Sequence, residues 1–277
     1  MARTMTRQND KGAEFRRLHG GAGVLVLPNA WDAGSARVIE SAGAAAIATT
    51  SAGLAWSHGY RDADRVPLAV LRAAVAEITR VVSVPVTIDV EGGYADDPGE
   101  VAKTVAAVID GGAVGINIED GAGSPDLLVA KITAVKAAAS RAGVDLFVNV
   151  RTDVFLRGLV RVEAALDETI ARARRYRAAG CDGVFVPGLV DGPTIMVIAG
   201  AVDAPLNVMI SPGLPPVATL GELGVRRVSA GSAIAQAAYA VAKRATQQLL
   251  TDGRYDEMLA SALGYGDLNT LFPPASA

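Results

Sequence analysis

One cysteine, Cys181, stands in 277 residues, which excludes an intrachain disulfide and a thiolate cluster around a metal. No histidine lies near it in RAAGCDGVFVPG, so Cys181 reads as a small packed residue and a thiol nucleophile is not expected. Positive charge is also scarce in any one place. The 26 Lys and Arg are outnumbered by 29 Asp and Glu, and this balance argues against nucleic acid or an anionic membrane surface as the main partner. The densest basic run, RARRYR (172–177), has helical spacing and is read as a solvated helix face. No apolar run is long enough to span a bilayer, and MARTMTRQNDKGAEF lacks the apolar stretch of a secretory signal, which makes the cytoplasm the expected compartment. Linkers rich in Pro, Ser or charge are missing, so one domain over 1–277 is expected.

What the chain does have is apolar bulk in a regular order. It is 51% hydrophobic and 20% charged, enough to bury a large core. Eight short β-rich runs begin near Val24, Ala45, Val84, Ala113, Val144, Gly183, Pro205 and Val225. Between them lie helical patterns such as DAGSARVIESAG, PGEVAKTVAAVIDGG and LLVAKITAVKAAASRAG, several stopped by glycine. Near-continuous apolar strands alternating with amphipathic helices predict a parallel sheet covered by helices, and eight units predict an α/β fold of the closed (β/α)8 TIM-barrel type. A doubly wound open sheet is the alternative, but no GxGxxG follows a strand. A further helix over about 4–18 is placed to close the bottom or side of the barrel, and 233–277 reads as a C-terminal helical extension that includes a further piece, YDEMLASAL.

Charges gather where the strands end. Asp89 and Glu91 are two residues apart in VPVTIDVEGGY, a spacing that puts both carboxylates on one face of a strand. Glu119 and Asp120 close AVGINIEDG, and Arg151 and Asp153 close LFVNVRTD. Acids placed repeatedly at the ends of apolar strands point to a hard-cation site that also takes an anionic substrate. The structural alternatives are loop bonding by Asp89 and Glu91, a cap by Asp120, and an internal ion pair of Arg151 with Asp153 or Glu119. His58 and Asp62 lie in the polar loop SHGYRDADR, and His19 near a helix end reads as structural.

The motifs GYRD (59–62), DVEGGYA (89–95), INIEDG (116–121) and VRTD (150–153), in order at successive strand ends, resemble the isocitrate lyase/phosphoenolpyruvate mutase superfamily. The likeness extends over about 27–231, and the segments LPNAWDAGSAR and TTSAGLA resemble its small bacterial members of the carboxyvinyl-carboxyphosphonate phosphorylmutase-like kind. The resemblance implies a Mg²⁺-dependent enzyme that forms or uses a pyruvate enolate. It implies Asp89 as the metal's nearest ligand, with Glu91 and Glu119 orienting its water. It further implies Arg151 for the substrate's anionic end, Ala52, Gly53 and Leu54 as substrate-binding through the amides of SAGL, Asp62 at the reacting group and Tyr94 lining the site.

The departures from that pattern are equally specific. Isocitrate and methylisocitrate lyases carry a Lys-Lys-Cys-Gly-His loop after the fourth strand, where this chain has GAGSPDLL. Isocitrate lyase activity is therefore not expected. The loop is also short for a P–C mutase or hydrolase, and Pro187 takes the place of a histidine that several mutases carry. The favoured expectation is C–C cleavage of a small 2-oxo or dicarboxylic acid, with P–C chemistry and a catalytically idle ligand-binding barrel as alternatives. The resemblance implies a homotetramer, with a C-terminal helix exchanged between barrels.

Overall fold

A computed structural model describes residues 2–63 and 66–272. Thus Asp64 and Arg65 of the SHGYRDADR loop and the end of the expected C-terminal extension, 273–277, lie outside the described residues. The elements are α1 (Ala2–Gly20), β1 (Leu25–Leu27), β2 (Asn29–Ala30), α2 (Ala33–Ser41), β3 (Ile47–Thr49), α3 (Ser51–Ser57), α4 (Leu68–Val81), β4 (Val86–Asp89), α5 (Pro98–Asp110), β5 (Gly115–Glu119) and α6 (Pro125–Ala142). They continue with β6 (Phe147–Arg151), α7 (Val154–Arg157), α8 (Val162–Ala178), β7 (Gly183–Phe185), α9 (Gly192–Ala201), β8 (Leu206–Met209), α10 (Val217–Glu222), β9 (Val225–Ser229), α11 (Ala233–Asp252), α12 (Asp256–Ser261) and α13 (Tyr265–Leu271).

Every strand pairing is parallel, in the order β1-β9-β8-β7-β6-β5-β4-β3-β2. The two outer segments belong to one barrel strand. β1 pairs with β9 (Leu27↔Ser229), β2 pairs with β3 (Asn29↔Ala48), and only Pro28 separates them. Proline has no N–H to give to a ladder, so the strand breaks there, although its carbonyl still accepts from Ala48 N at 3.1 Å. The ring is a (β/α)8 barrel, and each of the eight apolar runs supplies one barrel strand.

Between sheet and helices the core is aliphatic, with Ile78, Ile88, Ile116, Ile118, Leu128 and Ile132 at most 1% exposed. The interior departs from the expectation of apolar strands. Thr87, Asn117, Asn149, Asn207 and Arg227 are buried there, and Asn149 Nδ2 donates to Asn117 Oδ1 at 2.9 Å and to Asn207 Oδ1 at 3.1 Å. Arg227 Nη2 donates to Asn117 Oδ1 at 3.1 Å, and burial pushes the guanidinium pKa down to about 9. Beneath this layer α1 closes the bottom, as expected from 4–18. Phe15, fully buried, meets Phe147 edge to face at 5.4 Å, and His19 stacks on Phe147 at 4.2 Å. Gly115 makes room for this plug, since a Cβ there would lie 2.9 Å from the Phe15 ring.

One further expectation changes. RARRYR is only partly solvated: Arg172 is 9% exposed, and Ala173 and Tyr176 are fully buried, because α8 turns that side onto Asp120. The chain beyond β9 is the expected helical extension outside the barrel: α11 buries only Ala235 and α12 and α13 bury nothing, while Arg37 Nε of α2 donates to Leu271 O at 2.6 Å. Among the described residues no helix is long and apolar enough to cross a membrane.

Candidate active site

At the C-terminal ends of β3 to β6 a cleft of about 450 Å³ is lined by Ser51, Asp62, Glu91, Tyr94, Glu119, Lys131, Arg151 and Arg157, among others. Its size suits a small metabolite. A larger, apolar groove of about 640 Å³ lies beside β1 and α2, lined by Leu18, Val24, Val26, Ile39 and Ile234. The chemistry belongs to the first, because the titratable groups converge there and the strand ends of a barrel are where its loops assemble sites.

The register explains the arrangement. Glu119 and Arg151 are direct neighbours across β5 and β6, and Arg151 Nη1 meets Glu119 Oε2 at 2.7 Å. On its other side Arg151 forms a bidentate pair with Asp153, Nε to Oδ1 at 2.6 Å and Nη2 to Oδ2 at 3.0 Å. Asp153 is fully buried, its amide donating to Asp120 Oδ1 at 2.9 Å, and Asp120 Oδ2 accepts from Arg172 Nη1 at 2.9 Å and Tyr176 Oη at 2.7 Å. Asp120 is thus a buried hub that holds Asp153, and through it Arg151, rather than a helix cap. The fixed guanidinium is held in its charged form, its pKa raised by Glu119 and Asp153 against the cost of burial.

Asp89 ends β4, half buried. Its Oδ2 accepts from Ser51 N at 3.3 Å and its Oδ1 from Glu91 N at 3.2 Å, so it sits behind two residues that line the cleft. Glu91 is not a strand residue sharing a face with Asp89. It lies beyond the end of β4 with φ +51°, although its carbonyl still accepts from Glu119 N at 3.0 Å. Tyr94 has φ +62° and Ala63 φ +88°. These are the non-glycine residues with positive φ among those described, and all three line the cleft. Such conformations cost about 1–3 kcal/mol each and collect at functional sites. Lys131, reaching in from α6, ties the strained loop down by donating to Gly92 O at 2.7 Å.

The residues whose amides the resemblance assigns to substrate follow directly on Ser51, which lines the cleft, but are not part of its lining. Thr50 caps α3, so Leu54 N donates to Thr50 O at 3.0 Å, Gly53 N faces Thr50 Oγ1 at 3.5 Å, and Ala52, Gly53 and Leu54 are buried away from the cleft lining. The cause is local: SAGLAWS after a threonine is a capped helical turn, which engages the Gly53 and Leu54 amides. Ser51 alone of that segment reaches the cleft. Asp62 is exposed at its rim, and His58 points its ring back to Leu54 O at 3.0 Å. Cys181 is fully buried and burial pushes its thiol up to about 12, which agrees with a packed residue. Arg157 and Lys131 are the cationic cleft residues that sequence reading passes over. Arg157 follows Asp153 at one helical turn's remove in RTDVFLRG, and that spacing was the available signal.

Among the described residues no three Asp, Glu, His or Cys side chains form a cage for a metal. The charge pattern nevertheless leaves room for a cation. Burial pushes the Glu119 carboxyl up to about 8, and Asp89, Asp153 and Glu91 add to this against the opposing pull of Arg151. Carboxylates that raise one another's hold on a proton are short of positive charge. Asp89, with Glu91 and Glu119 nearby, fits an ion that keeps much of its water and takes one or two carboxylates, as Mg²⁺ does, and does not fit a closed zinc site.

Fold and mouth together define a barrel protein with an acidic, arginine-anchored site at its strand ends. The family model for phosphoenolpyruvate phosphomutase matches residues 15–250, and the chain belongs to that family. An uncharacterized protein of Mycobacterium tuberculosis H37Rv is 38% identical over 261 residues, covering 92% of this chain and 94% of that one. An oxaloacetate decarboxylase of Bradyrhizobium sp. BTAi1 is 34% identical over 181 residues, 61% of this chain and 59% of its own length. Among solved structures, a candidate phosphonomutase from Burkholderia cenocepacia J2315 is 43% identical with a TM-score of 0.83, covering 87% of this chain and 100% of that one. A 2,3-dimethylmalate lyase, described as a PEP mutase/isocitrate lyase superfamily member, is 29% identical with a TM-score of 0.83 over 94% of each chain. The superfamily is one of lyases and mutases, so the chain is placed among enzymes.

Proposed function

We propose that the protein is a Mg²⁺-dependent carbon–carbon lyase or decarboxylase that generates pyruvate enolate from a small 2-oxo or dicarboxylic acid. The observation that carries this reading is Arg151, fixed between Glu119 and a fully buried Asp153, beside a carboxylate group with charge to spare for a cation. Similarity to an oxaloacetate decarboxylase and to a 2,3-dimethylmalate lyase supports it. Arg151 binds the carboxylate adjoining the 2-oxo group and keeps it in the plane in which the enolate forms. Asp89 would hold Mg²⁺, with Glu91 and Glu119 orienting its water, and the bound ion would supply Lewis-acid stabilisation of an enolate oxygen on the order of several kcal/mol. Ser51 and Tyr94 line the pocket for the rest of the substrate, and Asp62 waits at its rim.

A P–C mutase or hydrolase is the second reading, favoured by the 43% identity to the candidate phosphonomutase. The short connection from Glu119 to Pro125 and Pro187 after β7 weigh against it, since neither offers a basic or imidazole group to a phosphonate. Pyruvate release from oxaloacetate, 2-methylmalate-type acids and phosphonopyruvate, each with and without Mg²⁺, tests the reading. Metal-dependent release from a carbon acid supports it, release from phosphonopyruvate alone replaces it with the second, and tight binding without turnover indicates an idle barrel.

The expected partner is a further copy of the chain, in a cytoplasmic homotetramer that exchanges C-terminal helices. Tyr255, Leu259, Leu263 and Tyr265 of the last helical stretch are exposed by 52–84%, and Val26 in the apolar groove beside β1 by 53%, apolar surfaces that support exchange. A chain cut before Tyr255 is expected to elute from a sizing column as a smaller assembly.

A further inference from the structure

Asp153 serves two guanidiniums. Its Oδ2 accepts from Arg151 Nη2 at 3.0 Å and from Arg157 Nε at 2.7 Å, while its Oδ1 is given to Arg151 Nε at 2.6 Å. Arg151 goes on to Glu119, but among the described residues no second carboxylate pairs with Arg157. Its side chain is half exposed and lines the cleft. The single turn of α7 that carries it is held in place: Gly158 ends it with φ +58°, and at Gly188 a Cβ would lie 2.9 Å from Leu156 Cα. A guanidinium anchored through one nitrogen, with its outer N–H pair left over, is built to take an oxyanion in a fork.

We propose that Arg157 receives a second anionic group of the substrate, so that the cleft selects short dianions over monoanions of the same length and shape. The inference rests on the reading that Arg151 takes the carboxylate next to the reacting carbon, and it narrows the substrate class to acids with a second carboxylate or phosphonate at the far end. The sharing of Asp153 sets both receptors on one support, and the spacing of the two guanidiniums thereby fixes the length of chain that fits.

Ligands that are not turned over test this apart from any reaction. Malate, 2-hydroxybutyrate, which replaces the far carboxylate by methyl, and the 3-phosphono analogue of lactate are titrated by calorimetry in Mg²⁺ buffer. The wild type is expected to bind malate or the phosphono acid roughly ten- to a hundredfold more tightly than 2-hydroxybutyrate, the range for one charge-assisted pair. Arg157→Gln removes that preference and leaves 2-hydroxybutyrate unchanged, while Arg157→Lys, which keeps the charge but not the fork, retains part of it. The order of malate and the phosphono acid tells which anion the site takes. A preference that survives Arg157→Gln, or equal weakening of all three ligands in both variants, overturns the proposal. Because binding is the readout, a failed pyruvate assay leaves the result standing, and a successful one does not guarantee it.

Discussion

At the N-terminal end of the barrel, α1 presses Phe15 and His19 onto Phe147 in an aromatic contact, with the Arg16 guanidinium 5.5 Å from the Phe147 ring centre and paired outward with Asp145 and Asp182. At the C-terminal end the same strands run out into Asp89, Glu119 and Arg151, with Glu91, Asp153 and Arg157 close behind. Burial acts on both ends in opposite ways. Below, it strips His19 of its charge, lowering its pKa to about 3, because imidazole can be neutral at little cost while its Nδ1–H donates to Phe15 O at 2.8 Å. Above, burial leaves the ions charged only where they pair with one another, as Arg151 does with Glu119 and Asp153, and three non-glycine residues accept positive φ around them. One end is arranged for stability and the other departs from it, which is the expected mark of a site.

The contrast can be broken from either side. Asp89→Ala should have the largest effect, a loss of about a thousandfold in kcat/KM, roughly 4 kcal/mol, with little change in melting temperature. Steady-state assays with a thermal melt check both halves, and a large drop in stability would make Asp89 a structural residue. Phe15→Ala should do the reverse, costing about 3–4 kcal/mol in urea unfolding while the folded enzyme turns over normally. A selective loss of kcat in that variant would erase the division between the ends.

His19 gives a pH window. Below about pH 6.5 the unfolded chain takes up a proton that the folded chain refuses until about pH 3, so stability is full above pH 6.5 and falls through that window by up to ~1.4 kcal/mol per pH unit. Urea midpoints at pH 7 and pH 4.5 should separate clearly in wild type and less in His19→Phe. His58→Ala should do least, changing stability by under about 0.5 kcal/mol and activity hardly at all, since His58 is exposed and turned back on its own helix.

Much of this was legible in the chain. The apolar runs from Val24 to Val225 place all the barrel strands, because a parallel sheet buried on both faces reads as continuous hydrophobic stretches. The charged strand ends foretell the mouth for the same reason: Glu119 and Arg151 stand out against Ile118 and Val150. What stayed hidden depends on neighbours far along the chain. The burial of Arg172 and Tyr176 needs Asp120 opposite them, 52 and 56 residues away, and periodicity alone gave a solvated face. The helical capture of the Gly53 and Leu54 amides follows from Thr50, a short-range signal outweighed by the motif around it. Helices α3, α7 and α10, of seven, four and six residues, are too short to show a period. The left-handed turn at Glu91 overrode the alternation from which its facing was read.

The most direct test is a Mg²⁺ titration by calorimetry in the presence of oxalate, comparing wild type with Asp89→Ala. A saturable isotherm in the wild type that weakens at least about tenfold in the variant is the expected result, in keeping with an ion held by few protein ligands. Identical isotherms, or no heat of binding in the wild type, would contradict a metal-assisted site at the mouth of this barrel.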